Sequence, residues 1–372
     1  ATRLYAKETI ELPEGKQVRD YPRLKFGGAH LEDAEADRDA DIAKRALSGI
    51  AAGVVLWIIS ATLLCALLAS RGGTGANAAW HAIWRGETEV PWRAVLLTLG
   101  VALLCIGAAA ALGMKYHVFG TDKVGQDVLY QALKSIRTAL VIGTLTTLVM
   151  LPFALALGIA AGYFGGWVDD AIQYVYTTLN SIPGVLLIAA AVLMMQVYID
   201  GHAELFPTAA QRADLRLLFL CIILGVTSWT GLCRLLRGET LKVRELEYIQ
   251  AAHAFGVRHH RIIARHILPN VMHIVLISVV MEFSGLVLAE AVLSYVGVGV
   301  DPTMNSFGTM INNARLEMAR DPMVWWSLAA AFWFMLVLVL SANLFADAVR
   351  DAFDPRVRVL QPFSFKAGAQ QA

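Results

Sequence analysis

Long apolar runs are the feature that most constrains how this chain folds. An α-helix rises 1.5 Å per residue, so about 20 apolar residues are needed to cross a hydrocarbon core about 30 Å thick. Seven runs approach or exceed that length with few or no charges: residues 50–69, 94–112, 139–164, 182–199, 217–232, 271–300 and 324–345. The runs are continuous rather than alternating, which excludes a transmembrane β-barrel. The sequence therefore predicts an all-α, polytopic transmembrane helical bundle.

Composition and cysteine placement agree with a membrane protein. Charged residues make up only 16% of the chain and hydrophobic residues 57%, whereas soluble domains carry about 25% charged residues. The net charge of +1 provides no basic footprint for nucleic acid. The cysteines lie in or beside apolar runs without disulfide-like or zinc-like spacing: Cys65, Cys105, Cys221 and Cys233. The first 49 residues are polar, so we expect no cleavable signal peptide and assign targeting to the spans.

The cationic segment 234–265 sets the expected orientation. The positive-inside rule places this segment in the cytoplasm, and the C-terminal arginines Arg350, Arg356 and Arg358 agree. Counting spans backwards then places residues 116–136 outside, and the N-terminus outside as well if both early runs span. The N-terminal cations Arg38, Lys44 and Arg45 argue the opposite, so the side of the N-terminus and the choice between six and seven spans stay open.

A polar, helix-compatible segment, 237–270, interrupts the apolar pattern. Ala251 and Ala252 form a small-residue patch that another surface can approach closely. Gly256 is placed where a helix can end in a left-handed cap, and Pro269 is expected to mark the start of the next span. The alternative is an ordinary amphipathic connection.

The spacing of these residues resembles a known motif. Gln-Ala-Ala at 250–252, Gly256 and Pro269 resemble the EAA loop of ABC importer permeases, whose short helix fits a cleft in the ATPase. Gln250 stands where that family usually has Glu, and His266 stands where an aliphatic residue is usual. The resemblance implies the following ATPase-coupling residues: Glu247, Tyr248, Gln250, Ala251, Ala252, Phe255, Gly256 and Pro269.

Further segments resemble the dipeptide and oligopeptide permeases. FGTDKVGQD is similar to their GTDxxGRD segment, with Gln126 in place of Arg, and AGYFGGWVDD, LNSIPGVLL, LAEAVLSYVGVG and VRDAFDPR are also similar. The resemblance covers 119–356 and implies a type I ABC importer permease-like fold in a bacterial cytoplasmic membrane. It implies as partners a homologous second permease subunit, two ATPase subunits and an extracytoplasmic substrate-binding protein, beside membrane lipid.

The expected organisation has four parts. They are a polar tail at 1–49, a hydrophobic region with one or two spans at 50–118, the permease domain at 119–356 with its coupling loop at 237–270, and a tail at 357–372. The chain has no GxxxxGK[ST] phosphate cradle. No cofactor is therefore expected in this chain, and ATP and Mg²⁺ are expected on the partner ATPases.

Two other function classes compete with the importer. An ion-coupled secondary transporter would need inverted repeats and broken helices around an ion site, and no internal repeat is visible. A membrane metalloenzyme would need clustered ligands. Apart from the adjacent pair His259 and His260, the histidines lie six or seven residues apart, and seven residues separate side chains on one helix face by about 10 Å; they are His253, His259, His260, His266 and His273. No metal site and no catalytic residue are therefore predicted.

Two carboxylates fall inside the apolar run 271–300, where an ionisable group costs at least about 2.5 kcal/mol. Glu282 and Glu290 are therefore candidates for the translocation path, and the alternative for each is an interhelical hydrogen bond. Pro152 and Pro183 are expected to kink helices within spans.

Overall fold

A computed structural model describes residues 8–11, 17–20, 26, 30–31, 36–72, 75–88, 90–202, 204–206, 208–319 and 323–353. Two antiparallel strands come first, β1 (Glu8–Glu11) and β2 (Gln17–Asp20). The helices that follow are α1 (Arg38–Gly72), α2 (Ala76–Arg85), α3 (Trp92–Gly113), α4 (Val128–Phe164), α5 (Gly166–Ser181), α6 (Gly184–Gly201), α7 (Ala209–Arg244), α8 (Glu247–Ala254), α9 (His259–Ile262), α10 (Leu268–Tyr295), α11 (Phe307–Met318) and α12 (Trp326–Phe353). A π-helical turn, Ile263–Ile267, joins α9 to α10. The tail 357–372 lies outside the described residues.

The predicted all-α membrane architecture is confirmed. Among the described residues, seven helices are long and apolar enough to cross a membrane, and each overlaps one of the predicted runs. Several exceed the bilayer: α4 has 37 residues and α7 has 36, or about 54 Å of helix against a core of about 30 Å. Their polar ends therefore continue beyond the apolar layer.

Three expectations about helix ends and kinks need correction. Pro183 is not inside a span but is the N-cap of α6, where its missing N–H costs no helical hydrogen bond. The helical run that contains Pro269 begins already at His259. The run 271–300 outlasts its helix, because α10 ends at Tyr295 and Gly297 adopts a left-handed φ of 86°.

The chain forms two compact units, Ala1–Leu129 and Tyr130–Ala372. In the first, α1 and α3 pack as an antiparallel hairpin, with Gly49 against Gly107. At one end of the hairpin, Tyr116 donates a hydrogen bond to Asp41 (2.7 Å). Burial, and then this carboxylate, raise the pKa of Tyr116 to about 12. Helix α1 begins at Arg38, so the last twelve residues of the polar tail 1–49 are helical.

Two of the buried apolar clusters in the second unit lie along α4, α7 and α10. The first, here called the basal cluster, includes Tyr163, Leu236, Ile249, Ile262 and Ile267. The second includes residues of α4, α6, α7 and α10. Helices α4 and α7 cross at close range, since a Cβ on Gly158 would lie 2.8 Å from the Cys233 carbonyl oxygen. The basal cluster thus joins the ends of α4 and α7 to the loop predicted to carry function.

Candidate functional site

Helix α8 forms the centre of the site and has well-defined ends. Leu246 is its extended N-cap, and Glu247 in the first turn interacts favourably with the helix dipole. At the other end, Gly256 has φ 72° and donates to the His253 carbonyl (3.0 Å), while the Val257 N–H donates to the Ala252 carbonyl (3.1 Å). This pair of bonds is a Schellman motif, and it confirms the predicted left-handed cap.

The inner face of α8 is fixed in the basal cluster. Ile249 is fully buried there, and Ala252 and Val257 pack against it. Burying one Ile side chain contributes about 1.5–3 kcal/mol, which is substantial for an eight-residue helix that is marginal in isolation. The position of α8 is therefore set by the transmembrane helices on which it packs.

The outer face of α8 is apolar and open. Phe255 is 87% exposed, and Leu246, Tyr248 and Ala251 are also exposed. Ala251 and Ala252 are not equivalent, because Ala252 turns towards the cluster and only Ala251 lies on the open side. The face outlined by Leu246, Tyr248, Ala251 and Phe255 is called the α8 surface below.

The phenol of Tyr163 ties α8 to two other elements. Tyr163, near the end of α4, is 4% exposed, and its oxygen lies 2.9 Å from His253 Nε2 and 2.9 Å from His259 Nδ1. A phenol carries one proton, so it donates to one imidazole and accepts from the other. The ring of Tyr163 also stacks on that of His253 at 5.5 Å. This node links the end of α4 to α8 and to α9, which lie on either side of the turn at Gly256.

Two further hydrogen bonds hold α8 against its neighbours. Asn270 Nδ2 donates to the Tyr248 hydroxyl at 2.9 Å, which connects α8 to the first turn of α10. Gln250 Nε2 donates to the Glu245 carbonyl at 3.2 Å. A glutamate carboxylate has no such donor, so Gln250 makes a contact that the more usual Glu could not make.

Pro269 lies in an unbroken helical run because a π turn precedes it. Proline crowds the carbonyl four residues earlier, here that of Arg265. The wider π turn Ile263–Ile267 relieves this crowding. The Asn270 side chain also donates to the His266 carbonyl at 2.7 Å. Helical structure therefore continues from His259 through Pro269 into α10.

An ion pair braces the same end of α4, α5 and α7. Arg237 donates to Asp169 from Nε (2.5 Å) and Nη2 (2.6 Å), and this guanidinium lowers the pKa of the buried Asp169 carboxyl. Arg244 Nη1 donates to the Tyr163 carbonyl at 3.2 Å, which satisfies an acceptor at the C-terminus of α4. These contacts, called the base below, tie α7 to α5 and to the end of α4 that carries Tyr163.

The two carboxylates of α10 have different surroundings. Glu290 is 1% exposed and accepts a hydrogen bond from Ser294 Oγ (2.6 Å), whose oxygen accepts in turn from the Val300 N–H (3.2 Å). This arrangement closes the turn after α10 and favours a structural role. Glu282 is half-buried and has no hydrogen-bond partner among the described residues. It lies three residues after Val279 of the basal cluster and four before Leu286 of the second cluster.

That spacing places Glu282 on the α10 face that packs into the bundle, between two apolar layers. The eight coupling residues predicted from the sequence lie on α8, its cap and the start of α10, whereas Glu282 and Glu290 lie farther along α10. Sequence reasoning missed Tyr163, Arg237 and Asp169. Paired opposite charges at the ends of apolar runs were the available signal, but only the fold shows which residues pair.

Comparison with known proteins assigns most of the second unit to one family. Residues 154–359 match the model described as "Binding-protein-dependent transport system inner membrane component". The oligopeptide transport system permease protein OppC of Mycobacterium tuberculosis is 34% identical over 245 residues, which cover 66% of this chain and 78% of that protein. The glutathione transport system permease protein GsiD of Pectobacterium atrosepticum is 32% identical, over 65% of this chain and 73% of its own length.

A dipeptide relative and one solved structure are also similar. The dipeptide transport system permease protein DppC of Bacillus subtilis is 28% identical, over 65% of this chain and 69% of its own length. An inward-facing structure of the MetNI methionine ABC transporter aligns with 62% of this chain and 99% of its own chain, at 15% identity and a TM-score of 0.45.

Proposed function

Because the chain belongs to the family of binding-protein-dependent transport system inner membrane components, we propose that it forms half of a translocation path for peptides or similar solutes and is driven by separate ATPases. The family resemblance read from the sequence is confirmed, and the chain is a multi-pass permease of the cytoplasmic membrane. The family is one of transport components rather than catalysts.

The observation that carries the proposal is the α8 surface. Its open face exposes Phe255 and Ala251, while Ile249 on the opposite face is fixed in the basal cluster. Exposed apolar side chains on an anchored helix are typical of an interaction site. We assign this surface to docking in a cleft of the ATPase, with Glu247, Tyr248, Gln250, Ala252, Gly256 and Pro269 shaping or supporting it.

The base around Tyr163 supports transmission from this surface to the spans. A displacement of α8 acts on α4 through Tyr163 and on α10 through Tyr248 and Asn270. Nucleotide binding shifts the population towards one arrangement of the path only if it favours that arrangement over the other. Alternating access then follows from movement of α4 and α10 together with α8.

The proposed solute class and partners follow from the relatives. Oligopeptide, dipeptide and glutathione permeases align with about two thirds of this chain. Glu282 is assigned to the path, where a carboxylate suits the ammonium group of a peptide. The partners are a homologous second permease, two ATPases that hold ATP and Mg²⁺, and an extracytoplasmic binding protein.

The test is Phe255→Ser in the tagged full chain expressed in its native cells, with Leu205→Ser as the control. Leu205 is also exposed, at 60%, but lies in the connection between α6 and α7. Removing one buried aromatic contact of about 1.5–3 kcal/mol weakens association about 10- to 150-fold. We expect Phe255→Ser to lose both the co-purified ATPase subunit and the uptake of labelled peptide, while Leu205→Ser keeps both. Equal ATPase recovery with the two variants would refute the docking assignment.

A further inference from the structure

The α1–α3 hairpin lies outside the family match and carries a continuous groove along α3. One cavity of about 390 Å³ lies at the start of α3 and is lined by Arg93 and Leu97 among others. A second cavity of about 300 Å³ is lined by Trp57, Leu97, Gly100 and Leu104. Leu97 belongs to both, so the two cavities adjoin. Together they are called the α3 furrow below.

The α3 furrow has the length of one lipid acyl chain in a leaflet. Arg93 and Leu104 are eleven residues apart, or about 16 Å along the helix, and half of a hydrocarbon core is about 15 Å. Helix α3 has 22 residues, about 33 Å, and therefore just spans that core. Arg93 in its first turn consequently lies at headgroup depth.

The lower part of the furrow is apolar and depends on one glycine. Trp57 Nε1 donates to the Leu96 carbonyl at 2.8 Å, so the indole has no unmet donor. A Cβ on Gly100 would lie only 2.9 Å from that nitrogen. The missing side chain at position 100 thus lets the indole of Trp57 pack against α3, and Leu97 and Val101 remain exposed along the furrow.

The upper part is cationic and surrounded by tryptophans. The guanidinium of Arg93 lies over the ring of Trp84 at 5.7 Å, and Trp80 contacts Trp84 at 5.7 Å. Arg93 has no carboxylate partner in the part of the chain that the structure describes. Tryptophan is typical of membrane interfaces, and an arginine fork matches the geometry of a phosphate.

We propose that the α3 furrow binds an anionic phospholipid, with its phosphate on Arg93 and one acyl chain along Leu97, Val101 and Leu104. A polar end with an unpaired cation and an apolar end of leaflet depth match this amphiphile better than a second helix, which would need a groove that is apolar throughout. The site uses residues outside the permease match and does not depend on peptide transport.

The contact between Arg93 and the headgroup is tested by lipid retention. Retention by the purified full chain is measured by native mass spectrometry during detergent exchange. The probes are phosphatidylglycerol and phosphatidylcholine with identical acyl chains. One cation at an anionic headgroup contributes about 1 kcal/mol, or about a fivefold preference for phosphatidylglycerol. We expect Arg93→Gln to abolish this preference. Arg85→Gln removes an exposed cation that does not line the furrow, so it should keep the preference.

The acyl-chain contact is tested by filling the furrow with Leu97→Trp. Val101→Trp fills it independently, and circular dichroism checks that each variant keeps its helix content. Both are expected to reduce retention of both lipids. Leu63→Trp, at an exposed position on α1, is expected to keep it.

Three results would overturn the proposal. The first is equal headgroup preference in Arg93→Gln and Arg85→Gln. The second is retention in the filled variants that equals that of Leu63→Trp, which would indicate annular lipid only. The third is displacement by glycerol phosphate as efficient as displacement by phosphatidylglycerol, which would indicate an anion site without an acyl site. None of these results bears on the α8 surface.

Discussion

Replacement of Tyr163 by Phe removes one oxygen and with it both hydrogen bonds of the node. The oxygen lies 2.9 Å from His253 Nε2 and 2.9 Å from His259 Nδ1, and Tyr163 is 4% exposed. His253 and His259 are themselves exposed, so the loss is the net contribution of two hydrogen bonds, about 1–3 kcal/mol in total. The ring remains, so the stacking on His253 and the packing in the basal cluster are preserved. The variant therefore weakens the attachment of α8 without opening a cavity.

This loss corresponds to about a 5- to 150-fold increase in the population in which α8 is detached. Amide hydrogen exchange reports such local opening directly. We expect the N–H groups of Phe255 and Gly256, which donate within the cap of α8, to exchange faster by that factor in Tyr163→Phe. ATP hydrolysis by the assembled transporter should then depend less on transported solute.

The matched control is Tyr174→Phe. Tyr174 is 74% exposed, and its hydroxyl has no hydrogen-bond partner among the described residues, so the same atom is removed without loss of a contact. Exchange in α8 should stay at the wild-type rate. If Tyr163→Phe and Tyr174→Phe give the same exchange rates, the node does not hold α8 and its role in transmission is refuted.

The other predictions concern the base, the cap and the two carboxylates. The lowered pKa of Asp169 means that its ion pair stabilises the fold above the unfolded pKa of about 3.9 and loses this effect as pH falls through the folded pKa. The melting temperature of the wild type should therefore fall on acidification below about pH 4, and that of Asp169→Asn should be lower at pH 7 but change less with acid. Gly256→Ala places a Cβ at φ 72° at a cost of about 1–2 kcal/mol, so solute-dependent ATP hydrolysis should fall at an unchanged membrane level. Gly184→Ala, which meets no atom within 4 Å, should have no effect. Glu282→Gln should change the KM for peptide uptake with little change in melting temperature. Glu290→Ala, which removes the acceptor of the Ser294 hydroxyl and leaves a cavity, should lower the melting temperature without changing KM. A changed KM with an unchanged melting temperature would instead assign Glu290 to the path.

The sequence alone determined the membrane architecture, since apolar length is a one-dimensional property. About 20 apolar residues in a row must satisfy their backbone hydrogen bonds internally in lipid, whatever their neighbours are. The seven predicted runs therefore correspond to seven helices. The left-handed cap at Gly256 could also be predicted from the sequence, because a Schellman motif depends on residues a few positions apart.

Contacts between distant parts of the chain were decided only by the tertiary structure. Tyr163 is 90 residues from His253, and Asp169 is 68 residues from Arg237. No local pattern links such partners. Helical spacing predicts that the histidines of the loop are kept apart. For His253 and His259 this prediction is wrong, because α8 ends between them and the turn brings their rings to within 5.3 Å of each other and both to one phenol. Pro269 illustrates the same limit, because its effect depends on the π turn before it.

The two alanines of the loop also show what the sequence determines and what only packing determines. Sequence established that positions 251 and 252 carry small side chains, which permit close approach. Only packing decided that Ala252 faces the basal cluster and that Ala251 stays open beside Phe255. Local chemistry therefore determines which side chains are small, whereas the burial of Ile249 on the opposite face determines which of them stay open.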